Sequence, residues 1–378
     1  MTASDCRRAL ADTKRVVVKV GTSTLTHQTG KLNLERMERL VRELADQVNA
    51  GRQVILVTSG AVGAGMGRLG LRERPRTLPE KQAAAAVGQG LLMHMYEKFF
   101  GEYGLTVAQV LLTRDDLADR RRYLNACHTF GALLRLGVLP IVNENDTVAV
   151  EEIRVGDNDT LSALVAGLVD ADALILLTDS EGLYTADPRS CPDARLIPVV
   201  EEIGPEIEAA AGGGGSTWAT GGMVTKLQAA RLATSFGIPV IIASGLLPGR
   251  IAGILRGEEI GTLFLPRDHR AHGRKKWLAY GPVAQGKIWV DAGAARAIIH
   301  RGKSLLPSGI TGVEGNFEHG SLVSILGPDG NEIARGMTNY AAEEIKRIQG
   351  KKTGEILAIL GRKDYDEVVH RDNLIVLA

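Results

Sequence analysis

Residues 141–168 read IVNENDTVAVEEIRVGDNDTLSALVAGL. Ile141 and Val142 close an apolar run beginning at Val138, and Leu161, Leu164, Val165 and Leu168 recur at helical spacing, so the stretch predicts a buried strand end followed by a helix. Between the two stand Asn143-Glu144-Asn145-Asp146 and Asp157-Asn158-Asp159, two clusters of short acids and amides. In an open α/β sheet ligands sit where strands end and helices begin, which makes these clusters the expected wall of a pocket rich in acceptors. The same residue types also form tight turns, and Asp159 or Thr160 would serve as a helix cap. Taken alone, the clusters allow both readings.

Outward from this stretch the chain alternates between strand and helix. Toward the N-terminus come a helix at 116–136 with a basic patch at Arg120, Arg121 and Arg122, a strand at 107–112, and an alanine-rich helix at 82–100. Gly88 and Gly90 in that helix are places where a second helix can approach. A strand at 54–58 then runs into Ser59-Gly60-Ala61-Val62-Gly63-Ala64-Gly65, a turn of small residues that presents backbone N–H groups to an anion. Before it, Leu34, Met37, Leu40, Val41, Leu44 and Val48 mark one face of a helix at 33–50. Arg15–Val20, RVVVKV, is a β-branched strand ending in Gly21-Thr22-Ser23. Its Lys19 reads either as an edge-strand lysine or as a cation aimed over the strand's carboxyl end.

Toward the C-terminus, a strand at 173–177 ends in Thr178-Asp179-Ser180-Glu181-Gly182, a loop rich in hydrogen-bonding groups and suited to a nucleoside. Four glycines at 212–215 precede Thr220-Gly221-Gly222-Met223-Val224-Thr225-Lys226, which places a lysine at a helix start as phosphate cradles do. A strand at 240–243 completes a mostly parallel, doubly wound sheet, and residues 261–265 end the first domain. Two formal motifs fail. Gly30-Lys31 has no glycine five residues earlier and is followed by Leu32, so it is no P-loop. Gly65 to Gly70 spells GxGxxG, but it begins well past its strand and lacks the acidic residue about 20 positions on.

Bulk composition excludes several classes. With 378 residues, 44% hydrophobic, 24% charged and a formal net charge of +1, the chain reads as an ordinary soluble protein of two domains. No apolar run is long enough for a membrane helix, and Asp5, Arg7 and Arg8 precede any hydrophobic stretch, so a cytoplasmic location is expected. Cys6, Cys127 and Cys191 form no metal-spaced set, and Cys127 beside His128 diverges from it on a helix. After residue 266 short glycine-broken strands replace the earlier pattern, which predicts a linker and a small mixed-β domain. From Arg267 onward Lys and Arg number 17 against 13 Asp and Glu, too mild a surplus to imply RNA. Trp277, Tyr280, Trp289 and Phe317 are spaced as core residues.

The strings VVVKVGTSTLT, VTSGAVGAG, LPIVNENDTVA, VGDNDTLSA, LLTDSEGLYTADPRS and TGGMVTKLQAA, in that order, resemble the amino-acid kinase family. They are most similar to its members that phosphorylate free glutamate. KIWVDAGAARAIIHRGKSLLPSGI and IARGMTNY resemble a PUA domain. The resemblance implies a three-layer α/β/α sandwich with a mostly parallel central sheet over 1–266, a linker at 267–279, and a PUA-like mixed-β domain at 280–362 with an extension to 378. It implies ATP-dependent phosphorylation of the γ-carboxylate of L-glutamate, the first step of proline synthesis, with Mg²⁺ as cofactor and no protein metal ligand. By position, Lys19 and Lys226 match the lysines on the phosphates and Asp159 the acid that orients them. Ser59, Gly60, Asn143, Asp146 and Asn158 match the glutamate pocket. Gly21, Thr178, Asp179 and Thr220, Gly221, Gly222, Met223, Val224, Thr225 and Lys226 match the nucleotide segments. Asp146 favours an acceptor with a free amine over N-acetylglutamate or a nucleoside monophosphate. The resemblance further implies feedback by proline, handoff to glutamyl-phosphate reductase, a homodimer or homotetramer, and no membrane; it leaves RNA open as a partner of the tail.

Overall fold

The computed structural model describes residues 2–27, 31–71, 73–149, 158–188, 190–212, 222–266 and 284–377. Thr2 opens helix α1 (Ala3–Leu10) with a reciprocal cap to Asp5. Strand β1 (Arg15–Val20), the short α2 (Thr22–Leu25), α3 (Leu34–Asn49, capped by Asn33) and β2 (Gln53–Val57) follow. Helices α4 (Ala61–Leu69) and α5 (Leu78–Glu102), strand β3 (Val107–Leu112), helices α6 (Arg114–Ala118) and α7 (Arg120–Arg135), and β4 (Leu139–Glu144) come next. After them run α8 (Asn158–Leu168), β5 (Ala173–Thr178), β6 (Val199–Val200), α9 (Pro205–Gly212), α10 (Met223–Ser235), β7 (Val240–Ser244), α11 (Arg250–Ile254) and β8 (Thr262–Phe264).

The eight strands form one sheet in the order β3-β4-β2-β1-β5-β7-β8-β6. Pairing is parallel throughout except between β7 and β8. β1 therefore lies inside the sheet, between β2 and β5, so Lys19 is no edge-strand lysine. Alternation along the strands divides their side chains between two faces. Val16, Val18 and Val20 join Leu40, Leu44, Leu92, Tyr96 and Phe100 of α3 and α5 in one core. Val17 and Lys19 must then point the other way, where α8 packs on β1 and α10 packs on α8. Helices thus cover both faces of a mostly parallel sheet, the fold class expected.

Several boundaries differ from expectation. The helix expected over 116–136 is two helices, because the Asp119 side chain accepts from the Arg122 N–H at 2.8 Å and restarts the second as a cap does. Residues 65–69 of the formal GxGxxG lie inside α4 rather than in a loop after a strand. α4 and α5 meet where neither carries a side chain: a Cβ on Gly65 would lie 1.8 Å from the Ala84 carbonyl oxygen, and one on Gly88 would lie 1.7 Å from that of Ala61. Gly90 faces open space.

By contacts the chain divides into two compact units, residues 1–114 with 125–270 and residues 115–124 with 271–378. In the second unit β9 (Gly286–Val290), α12 (Ala292–Arg301), β10 (Ile310–Gly315), β11 (Leu322–Leu326), β12 (Glu332–Thr338), α13 (Ala342–Ile348), α14 (Ile356–Leu360) and β13 (Val369–Val376) build a mixed sheet ordered β10-β9-β11-β12-β13. Its core gathers Ile288, Phe317, Val323, Ile325, Tyr340 and Ile345. Phe317 is a core residue, as its spacing predicts, and Trp289 is half-buried; Trp277, Tyr280 and the expected linker lie outside the described residues. Among the described residues no helix is long and apolar enough to cross a membrane.

Candidate functional site

Three charged side chains from three separate elements meet at the carboxyl end of β1. Lys19 stands one residue before the end of the strand. Asp159 lies in the first turn of α8, where a carboxylate suits the positive end of the helix, and Lys226 lies in the first turn of α10. Lys19 Nζ approaches Asp159 Oδ1 at 2.6 Å, and Lys226 Nζ approaches Asp159 Oδ2 at 3.1 Å. Thr225 Oγ1 lies 2.8 Å from Asp159 Oδ2 and from the Gly222 carbonyl oxygen, so its one proton serves either acceptor. The aspartate is fully buried and each lysine is 5% exposed. One carboxylate thus holds two ammonium charges close together, an arrangement suited to gripping an anion.

Burial pushes the Asp159 carboxyl up, but the charges of Lys19 and Lys226, with hydrogen bonds from Lys19 and Thr225, outweigh it and hold the group below its ordinary value. Because the folded value lies below the unfolded one, the stabilisation from Asp159 is complete above the usual carboxylate range and is lost as pH falls through the lowered value. Replacing Asp159 by asparagine removes the carboxylate that two buried ammoniums share, a loss on the order of 3–5 kcal/mol. Urea unfolding is expected to show that deficit at neutral pH and to show it shrinking below about pH 4. A deficit unchanged into acid would contradict the assignment.

Beside this triad runs a relay of amides. Asn158 Nδ2 donates to Ser59 Oγ at 2.9 Å and to Asn143 Oδ1 at 3.0 Å, which joins the two polar clusters of the opening stretch. Asn143 Oδ1 also accepts from the Glu144 backbone N–H at 2.9 Å, and Asn143 Nδ2 donates to Gln89 Oε1 at 2.8 Å. Gly60 follows Ser59 with φ +103°, a conformation that glycine tolerates best, and caps the N-terminus of α4. A Cβ on Gly60 would sit 3.8 Å from Thr22 Cγ2, and one on Gly21 would sit 3.8 Å from Lys19 Nζ. The small-residue turns after β1 and β2 therefore lie side by side next to the lysine.

The structure thus brings together Lys19, Gly21, Ser59, Gly60, Asn143, Asn158, Asp159, Thr225 and Lys226, with Gly222 capping α10 and Met223 and Val224 opening it. Thr178 ends β5 with its hydroxyl donating to the exposed Asp179 at 3.1 Å. Asp146 lies half-buried in the turn after β4. Thr220 and Gly221, like Asp157, lie outside the described residues. Gln89, which pairs with Asn143, has no signature in the sequence, because the helix around it is nearly uniform in alanine and glycine.

A family model described as the amino acid kinase family matches residues 14–244, and a PUA domain model matches residues 286–360. The chain is 76% identical over 377 residues to the glutamate 5-kinase of Moorella thermoacetica, covering 100% of both chains. It is 58% identical to the glutamate 5-kinase of Carboxydothermus hydrogenoformans, over 98% of this chain and 100% of that one. With the glutamate 5-kinase of Caldanaerobacter subterraneus it shares 56% identity, over 96% and 98% respectively.

Proposed function

The chain belongs to the amino acid kinase family, within the glutamate 5-kinases that carry a PUA domain, and from that premise we propose how its residues divide the reaction between them. The reaction is ATP-dependent phosphorylation of the γ-carboxylate of L-glutamate, the first step of proline synthesis. A γ-carboxylate oxygen forms a bond to the γ-phosphorus as the bond from that phosphorus to the β–γ bridging oxygen breaks, and ADP departs with the electron pair. The acceptor is already ionised and needs no general base, so catalysis reduces to aligning two anions and spreading charge over the group in transit. Lys19 and Lys226 supply that charge from opposite oxygens of Asp159, and this arrangement is the observation that carries the reading.

Thr178, Asp179 and residues 220–225 hold the nucleotide, and the N–H groups at Gly21 and Gly60 face the phosphates and the acceptor. Ser59, Asn143 and Asn158 hold the amino acid, with Asp146 opposite its ammonium. Mg²⁺, when bound with ATP, would supply further positive charge to the phosphates beside Lys19 and Lys226. Proline carries the same α-carboxylate and amine and competes for the glutamate pocket. The acyl phosphate, prone to hydrolysis and cyclisation, passes to glutamyl-phosphate reductase, and the chain works as a homodimer or homotetramer.

ADP release measured across acceptors tests this reading, with hydroxylamine present to trap an acyl phosphate as a hydroxamate. L-Glutamate is expected to support both signals, whereas aspartate, N-acetylglutamate and UMP support neither. Turnover of UMP or N-acetylglutamate with none on glutamate would overturn it. Asp146→Asn is expected to raise KM for glutamate about tenfold, the equivalent of ~1.4 kcal/mol, with KM for ATP within about twofold. Equal losses for both substrates would remove Asp146 from the amino-acid pocket.

A further inference from the structure

Helix α5 reaches both ends of the segment 143–149, which carries Asp146. Gln89 Oε1 accepts from Asn143 Nδ2 at 2.8 Å, and Gln82 Nε2 donates to the Ala149 carbonyl oxygen at 3.3 Å. Residues seven apart share a helix face, so a single face of α5 clamps the segment. The helix itself is held against α4 at Gly65 and Gly88, where backbone meets backbone.

The direction of the amide relay does not depend on how the side-chain amides are drawn. The Glu144 backbone N–H can only donate, and it lies 2.9 Å from one atom of the Asn143 amide, which must therefore be oxygen. Asn143 Nδ2 then requires an acceptor, and Gln89 Oε1 is that acceptor. Asn143 Oδ1 requires a donor from Asn158, so Asn158 presents Nδ2 to it and its own Oδ1 is turned away. That Oδ1 is buried without a protein partner among the described residues. A buried carbonyl oxygen left unpaired is costly, and an ammonium is a ligand group that would satisfy it. Gln89 Nε2 is buried and unpaired as well, so the oxygen facing Asn143 is the part of this glutamine that makes a hydrogen bond.

We infer that Gln89 is a positioning residue of the amino-acid pocket: through Asn143 it holds Asn158 with its carbonyl oxygen available to the substrate's α-ammonium. The inference rests on the glutamate-kinase reading above. Removing the acceptor leaves Asn143 Nδ2 unpaired and lets both asparagines turn, which weakens binding of the amino acid without touching the phosphoryl-transfer machinery.

Steady-state kinetics of Gln89→Leu and Gln89→Glu test the inference, with each variant's Tm measured first. Gln89→Leu is expected to raise KM for glutamate about tenfold, with kcat and KM for ATP within about twofold. Gln89→Glu keeps an acceptor oxygen while lacking the unpaired donor, and it is expected to return KM to within about threefold of the unaltered chain. Should Gln89→Leu not fold, Gln89→Met removes the same acceptor with a more adaptable side chain. An unchanged KM for glutamate, a parallel rise in KM for ATP, or a Gln89→Glu variant as impaired as Gln89→Leu would each overturn the inference. Failure of the unaltered chain to phosphorylate glutamate would instead overturn the function on which it rests.

Discussion

Lys226→Ala is expected to lower kcat by about 10²-fold or more while KM for glutamate stays within a few-fold. The asymmetry follows from where the ammonium stands. Its anchor is Asp159 Oδ2 at 3.1 Å in the first turn of α10, whereas Ser59, Asn143 and Asn158 form a separate hydrogen-bonded group. A donor aimed at charge that develops during transfer acts on the transition state and hardly on the bound ground state. The substitution also spares Asp159 from isolation, because Lys19 remains 2.6 Å from its other oxygen. Stability should therefore fall less than in Asp159→Asn. Initial rates across both substrates, with thermal unfolding of the same samples, check the expectation; an unchanged kcat, or a loss confined to KM, contradicts the assigned role.

The largest stability effect of a single methyl group is expected at Gly88. A Cβ there would lie 1.7 Å from the Ala61 carbonyl oxygen and 2.4 Å from the Gly65 nitrogen, both backbone atoms with no rotamer to yield. Gly88→Ala must push α5 away from α4, at a cost on the order of 3 kcal/mol. Gly90, two residues along the same helix, meets nothing within 4 Å, so Gly90→Ala gains up to about 1 kcal/mol from helix propensity alone. Denaturant unfolding of the two variants should therefore move in opposite directions. Equal shifts would mean that the helices do not pack through Gly88. Gly88→Ala should also disturb Gln89 and, with it, binding of glutamate.

The alternation of strands and helices was legible because β-branched runs such as RVVVKV and the six-residue face of α3 carry strong periodic signals. Lys19 could not be resolved from the sequence, since edge or interior position depends on strand order; the flanks β2 and β5, together with the parity of Val17, decide it. The two polar clusters read equally as turns or as a pocket until the bond between Asn143 and Asn158 joined them. Gly88 and Gly90 look alike in sequence, and only the position of α4 tells them apart. Strands β10 and β13 carry weak periodic signals for local reasons. Gly312 and Gly315 interrupt the first, and His370, Arg371 and Asn373 break the apolar alternation of the second. Family resemblance, rather than any periodicity, supplied the roles of Asp146, Thr178 and Asp179.

In the proposed catalysis two ammoniums act as one device through a shared aspartate. Single-turnover phosphoryl transfer to glutamate, measured for Lys19→Ala, Lys226→Ala and the double variant, tests this most directly. Each single variant is expected to lose about 10²-fold or more, and the double variant to be little slower than the worse of the two. A single variant with the unaltered rate, or losses that multiply in full, would contradict it.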